Sequence, residues 1–141
     1  MTAVARGVVV AHDGVAAALV RAVEHISGVR GALSAVSNEA CAPEELRARV
    51  AGAVSEGEGP VIIFVDMSSG SCAFAGRQVL RGRPGAAVVT GVNLPMLLDF
   101  VFHREMELAT LAERVAGKGR TAAQVHIPEA RDDDADRADP D

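Results

Sequence analysis

A chain of 141 residues, 49% of them hydrophobic and 23% charged, is long enough for one globular domain and too apolar for a disordered protein. Aromatic residues make up only 3%, and the net charge is −5, which together argue against a nucleic-acid partner. No apolar run approaches the roughly 20 residues that cross a bilayer, and two cysteines make no disulfide framework. We therefore expect a cytoplasmic protein that does not insert into a membrane.

The hydrophobic pattern predicts strands and helices that alternate along most of the chain. In chain order it predicts a strand over 4–11, a helix over 15–26, a strand over 32–37, a helix from Pro43 to Val54, a strand over 61–65, a helix over 71–80, a strand over 86–90, a helix capped by Asn93, a break over 102–105, a helix over 107–116 and a last short strand over 121–127. Repeated strand–helix units of this length predict an α/β fold with an open, mostly parallel sheet and helices on both faces.

Polar residues follow the predicted strands, at the edge of the sheet where α/β proteins bind ligands. His12 directly follows the first strand and Asp66 the third. An imidazole that donates one nitrogen to a carboxylate presents the other nitrogen as a nucleophile, which is the chemistry of a phosphohistidine carrier. Ser69, Gly70 and Ser71 lie between that strand and the next helix, where backbone N–H groups and hydroxyls can cradle an anion. Each feature alone is more often a turn or a cap, and only their shared position favours a site.

Several other chemistries lack their motif. The single lysine, Lys118, lies far from any phosphate-binding loop of the P-loop type, and no Gly-x-Gly-x-x-Gly follows the first strand. The four histidines and two cysteines show no metal-ligand spacing, so we predict no metal site.

Three segments carry a resemblance to a known family: Val8-Val9-Val10-Ala11-His12, Phe64-Val65-Asp66-Met67-Ser68-Ser69-Gly70-Ser71 and Gly91-Val92-Asn93-Leu94-Pro95-Met96-Leu97. In residues, order and spacing they resemble the mannose-family IIA component of the bacterial sugar phosphotransferase system, and the resemblance extends over residues 4–128. The segment from Gly91 to Leu97 is the most specific of the three.

The resemblance implies a function for the strand-end residues. His12 would take a phosphoryl group from the phosphocarrier HPr and pass it to a IIB component, Asp66 would orient its ring, and Ser71 would help hold the phosphate together with the loop at Ser69 and Gly70. It also implies a homodimer that exchanges a C-terminal strand, here 121–127, and it implies no metal or organic cofactor.

Three positions depart from the family pattern. Asp13 and Ser69 stand where the family usually has glycine, and Cys72 stands where it has proline. These departures leave open a second hypothesis, a regulatory IIA-like module that reports phosphorylation state to a partner and does not transport sugar. The phosphotransfer subunit of dihydroxyacetone kinase has a similar fold, but residues 91–96 fit the mannose family better.

The charge distribution divides the chain into two parts. Residues 129–141 hold seven acidic and two basic side chains, which account for the whole net charge of −5. We therefore predict a IIA-type phosphocarrier domain over 1–128 and an acidic, disordered tail over 129–141.

Overall fold

A computed structural model describes residues 3–129, which form four strands and five helices. In chain order these are β1 (Arg6–Ala11), α1 (Val15–Ser27), β2 (Leu33–Ser37), α2 (Pro43–Val54), β3 (Val61–Val65), α3 (Ser71–Leu80), β4 (Ala86–Thr90), α4 (Leu94–Val101) and α5 (Leu108–Ala122). Of the predicted acidic tail only Glu129 is among these residues, and the rest of that prediction lies outside them.

The four strands form one parallel sheet in the order β2-β1-β3-β4. One row across the sheet pairs Ala35 with Val9, Val9 with Phe64, and Phe64 with Val89. The chain leaves β1 toward one edge and leaves β3 toward the other, so the strand order reverses between β1 and β3. The carboxyl ends of these two strands therefore frame the crevice in which open α/β sheets bind ligands. The predicted α/β fold is confirmed.

Helices cover both faces of the sheet, as predicted. Val9 and Phe64 project into a core shared with α1, α4 and α5, whereas Val8 and Ile63 project into a second core shared with α2 and α3. This alternation follows from the two-residue period of a strand. All five β3 residues are buried, because helices pack on both of its sides.

The C-terminal end of the described chain differs from the sequence-based prediction. Helix α5 does not stop near Ala116 but continues through the two glycines that follow, to Ala122. The reason is a tertiary contact. Gly119 is buried against α4, where an added Cβ would lie 2.4 Å from the Met96 Cε atom, and its carbonyl accepts a hydrogen bond from Asn93 Nδ2 at 3.1 Å. Packing of this kind offsets the low helix propensity of glycine.

The predicted last strand over 121–127 is therefore wrong at its start, since Thr121 and Ala122 are helical. Residues 123–129 have no strand partner within the described chain, and Val125 and Ile127 are 82% and 75% exposed. Exchange of this segment with a second copy stays a prediction.

Candidate functional site

His12 and Asp66 meet at the crevice between β1 and β3. The Asp66 Oδ2 atom accepts two hydrogen bonds from His12, one from the backbone N–H at 3.0 Å and one from ring Nδ1 at 2.8 Å. Because a carboxylate only accepts, Nδ1 carries a proton, and in the neutral ring the lone pair is therefore on Nε2. The His12 side chain is 38% exposed, whereas that of Asp66 is 16% exposed. The geometry thus gives a half-exposed imidazole, oriented from behind by a largely buried carboxylate.

The pKa of Asp66 reflects this arrangement. Burial by itself raises the pKa of the carboxyl, but the backbone and side-chain hydrogen bonds from His12, together with the charge on its ring, hold it below the ordinary value of 3.8. Oδ1, the second oxygen, is buried without a hydrogen-bond partner among the described residues. Asp66 is therefore an anion at neutral pH. Among the described residues its carboxylate accepts hydrogen bonds from His12 alone, through Oδ2, and it stabilises positive charge on the His12 ring.

The beginning of α3 lies beside the His12 ring. Gly70 precedes the helix with φ +95°, a conformation that glycine adopts without strain, and Ser71 is the first helical residue. Among the described residues no side chain caps this helix, so the first backbone N–H groups of α3 are available to an anion. Ser69 does not need a positive φ, since among the described non-glycine residues only Asp13 and Ala40 have one. Replacement of the family glycine at Ser69 therefore causes no strain.

Cys72, the second residue of α3, lies against the His12 ring. Its Sγ atom lies 3.8 Å from His12 Nδ1, and the residue is fully buried. Burial, followed by the negative charge of Asp66, raises the pKa of the thiol to about 11, so the sulfur stays protonated at neutral pH.

The same residues are the only described group with the donor types and spacing of a metal site. One donor atom each from His12, Asp66 and Cys72 lies within 4.8 Å of the others. A metal requires a thiolate and a free imidazole nitrogen. Here the thiol holds its proton, and Nδ1 is engaged by Asp66. A metal at this position would have to displace the thiol proton and would compete with Asp66 for the His12 ring.

The turn after His12 is held by residues that the sequence analysis did not single out. Asp13 has φ +50°, its N–H donates to Asn38 Oδ1 at 3.1 Å, and its carbonyl accepts from Ser37 Oγ at 2.7 Å. Ser37 ends β2, and Asn38 follows it. The rule that identified His12 and Asp66, which considers polar residues at strand ends, identifies Ser37 and Asn38 when it is applied to β2.

Asn93, in the third strand-end segment, makes no hydrogen bond to His12 in the described structure. Its side chain accepts a hydrogen bond from the Met96 N–H at 3.0 Å and so caps α4, and it donates to Gly119 in α5. The segment that carries the most specific part of the resemblance thus joins α4 to α5.

No helix among the described residues is long and apolar enough to serve as a transmembrane span.

Comparison with known proteins supports both the fold and a family. The family model EIIA-man, described as PTS system fructose IIA component, matches residues 7–117. No curated protein matches the sequence significantly.

Several solved structures share the fold. The EIIA component of the phosphotransferase system from Streptococcus agalactiae has a TM-score of 0.79 at 17% identity, over 86% of this chain and 96% of that chain. The mannose/sorbose specific IIA subunit from Enterococcus faecalis has a TM-score of 0.78 at 20% identity, over 93% of this chain and all of that chain (100%). A sigma-54 interaction domain protein from Enterococcus faecalis has a TM-score of 0.74 at 12% identity, over 86% and 95% of the two chains. At these identities the likeness establishes the fold alone.

Proposed function

The chain belongs to the EIIA-man family of phosphotransferase-system IIA components, and from this premise we propose that it is a phosphohistidine carrier with His12 as the acceptor. The observation that carries the proposal is the double hydrogen bond from His12 to Asp66 Oδ2, which fixes both the backbone and the ring of the histidine. With Nδ1 bound to the carboxylate, Nε2 is the nucleophilic nitrogen.

The transfer step needs few groups. The Nε2 lone pair forms a bond to the phosphorus atom of phosphorylated HPr, while the phosphorus–nitrogen bond of the donor breaks and its electron pair returns to the donor imidazole. The His12 ring then gains positive character, which the anionic Asp66 stabilises through Nδ1–H. Transfer to a IIB component repeats the step with His12 as the donor. Positioning and electrostatics supply most of the rate in such transfers.

The phosphoryl group would rest at the start of α3. Ser71 would donate its hydroxyl, Gly70 and Ser69 would shape the loop, and the first N–H groups of the helix would face the anion. The uncapped helix end and the 3.8 Å approach of Cys72 to the His12 ring support this placement. No metal or organic cofactor takes part in the proposed reaction.

We also propose that the protein functions as a homodimer in which the C-terminal segment adds to the partner's sheet. Strand β4 is an open edge, and a cavity of about 430 Å³ lies between β4 and α5. Val125 and Ile127 alternate with polar residues in an exposed segment beside this fold, as a strand with one buried face requires.

Phosphorylation by HPr tests the acceptor role. Incubation of the full chain with ³²P-labelled phospho-HPr should give acid-labile, base-stable label on His12, and the variant His12→Ala should take up none. The matched control is His25→Ala, because His25 is an exposed histidine in α1 without a contact to the site. Absence of label on the native protein, or equal label on His12→Ala, would contradict the proposal.

A regulatory role is the second candidate. It is favoured by the structural likeness to a protein described as a sigma-54 interaction domain protein, and by the departure of Asp13 from the family pattern. The two roles differ in the second transfer: a transport component passes its label to a IIB protein, whereas a regulatory module keeps it. A pulse–chase with IIB proteins from the same genome distinguishes them.

A further inference from the structure

The backbone at Asp13 adopts a conformation that needs support. Its φ of +50° lies in the left-handed region, which costs free energy for every residue except glycine, although aspartate and asparagine tolerate it better than most. Asp13 immediately follows His12, so a change in this backbone angle would alter the path of the chain next to the acceptor. Gly14 follows and begins the entry into α1.

Two polar side chains at the end of β2 hold this turn on both sides of the Asp13 residue. Asn38 Oδ1 accepts from the Asp13 N–H at 3.1 Å, and Ser37 Oγ donates to the Asp13 carbonyl at 2.7 Å. The same Ser37 hydroxyl accepts from the Glu39 N–H at 3.0 Å, and the Asn38 N–H donates to the Ala11 carbonyl at 3.3 Å. The peptide groups on both sides of His12 are thus bound to Asn38, the residue that follows β2.

We propose that Ser37 and Asn38 are positioning residues for phosphoryl transfer, which compensate for a non-glycine residue at position 13 by holding its backbone in the left-handed conformation. The inference rests on the proposed function of His12. Two hydrogen bonds from His12, one from its backbone and one from its ring, must reach the single atom Asp66 Oδ2. Rotation of the peptide between His12 and Asp13 would displace one of these two hydrogen bonds. The clamp, formed by the side-chain hydrogen bonds of Ser37 and Asn38 to Asp13, therefore acts on the orientation of the His12 ring.

Coupling between positions 13, 37 and 38 is the distinctive consequence. Glycine adopts φ +50° without help, so a chain with glycine at position 13 no longer needs the clamp. A purely structural role for the two side chains in folding of β2 would give the same loss with either residue at position 13. Comparing the loss caused by the Ser37 and Asn38 substitutions with aspartate and with glycine at position 13 therefore separates the positioning role from the purely structural role.

The test measures the rate of label uptake from phospho-HPr in Ser37→Ala/Asn38→Leu, with and without Asp13→Gly, alongside circular dichroism for folding. We expect the pair to slow uptake by about tenfold with Asp13 present, since small displacements of reacting groups cost at least this much. In the Asp13→Gly background the same pair should change uptake by less than about twofold. Ser34→Ala, on the same strand without a side-chain bond to the turn in the described structure, should leave uptake unchanged.

Nitrogen-15 NMR of the His12 ring gives a readout that does not depend on transfer. The clamp variants should shift the Nδ1 and Nε2 signals of His12, and Asp13→Gly should restore them. If the native protein takes up no label, the proposed function fails, and the ring signals alone decide the clamp. Unchanged signals and uptake in the clamp variants, or an equal loss in the Asp13→Gly background, would overturn it. If the double variant does not fold, Asn38→Leu alone carries the same comparison.

Discussion

At the scale of single residues, the site depends on one oxygen atom. Asp66 Oδ2 accepts hydrogen bonds from both the backbone and the ring of His12. The other oxygen of the same carboxylate has no hydrogen-bond partner among the described residues. A change of Asp66 therefore removes ring orientation and charge together.

Replacement of Asp66 by asparagine keeps the size of the side chain but removes its charge. An amide of the same size presents either an NH₂ group or an uncharged oxygen to Nδ1, so the ring loses its fixed proton position and its anionic partner. We expect label uptake from phospho-HPr to fall by about 10²-fold or more. Glu39→Gln, an exposed acid near the same edge, is the control and should change uptake little. Uptake by the asparagine variant at the native rate would show that Asp66 does not orient the ring.

The lowered pKa of Asp66 predicts a pH dependence of stability. Because the folded-state pKa lies below the ordinary value of 3.8, the folded protein holds the charged form more tightly than the unfolded chain does. This contribution is fully present above that ordinary pKa and is lost as the pH falls through the lower folded-state pKa. Urea denaturation at pH 7 and near pH 3 should show the native protein losing stability relative to Asp66→Asn on acidification. A constant difference between the two proteins would contradict the assignment.

At the scale of elements, strand β1 packs tightly against a pair of aromatic rings. Phe64 and Phe100 meet edge to face with ring centroids 5.1 Å apart, and both are fully buried. Gly7 in β1 leaves room for them: an added Cβ would lie 2.5 Å from Leu33 Cδ2 and 3.1 Å from each ring. The side chains of these three residues therefore fill the space that a side chain at position 7 would need.

Substitution of Gly7 by alanine should destabilise the protein by about 1–3 kcal/mol, because the added methyl group overpacks a closed core. Gly52→Ala is the matched control: Gly52 is exposed in α2 with nothing within 4 Å of an added Cβ, so alanine should stabilise by about 0.5–1 kcal/mol. Chemical denaturation measures both. A Gly7→Ala protein as stable as the native one would mean that the core has room that the structure does not show.

The sequence-based prediction was most accurate for the elements that are most deeply buried. The strands of the sheet are within a few residues of their observed bounds, because apolar runs and turn residues mark buried parallel strands. Helix α5 was predicted too short, because the contact that carries it through Gly119 comes from α4 and leaves no periodic signal. Contacts between elements distant in sequence are invisible to a local pattern.

The candidate site shows the same limit. The contact between His12 and Asp66 was predictable, because polar residues that end neighbouring parallel strands lie at one sheet edge. The support from Ser37 and Asn38 was missed. Their position at the end of β2 marks them as polar residues of this sheet edge, but the sequence does not show that they bind the backbone of Asp13, 24 or 25 residues away. Arg77 likewise donates a side-chain hydrogen bond to a backbone carbonyl, that of Ser68 in the loop before α3, at 3.3 Å.

At the scale of the whole molecule, β4 is an edge strand of the sheet, and Val125 and Ile127 after α5 are exposed in the described chain. A variant that ends after Ala122 should therefore keep its fold, since residues 123–129 are exposed and make few contacts. If the segment pairs with a partner's sheet, this variant should be monomeric while the full chain is a dimer.

Sedimentation equilibrium of the two proteins measures this difference. A chain truncated at residue 128 keeps the segment and removes only the acidic end, so it serves as the control and should remain dimeric. A monomeric full chain, or a dimeric variant ending after Ala122, would contradict strand exchange.

The loop between α4 and α5 lies at the amino end of β1, where the Arg104 carbonyl accepts from the Ala5 N–H at 2.9 Å and Arg104 Nε donates to the Ala5 carbonyl at 2.8 Å. His12 lies at the other end of that strand, about 20 Å away at the usual rise per residue. Phe102, which is 58% exposed in this loop, is thus a suitable attachment point for a fluorescent dye or a surface tether. A protein immobilised there would present His12 away from the surface, toward whatever carrier is supplied in solution.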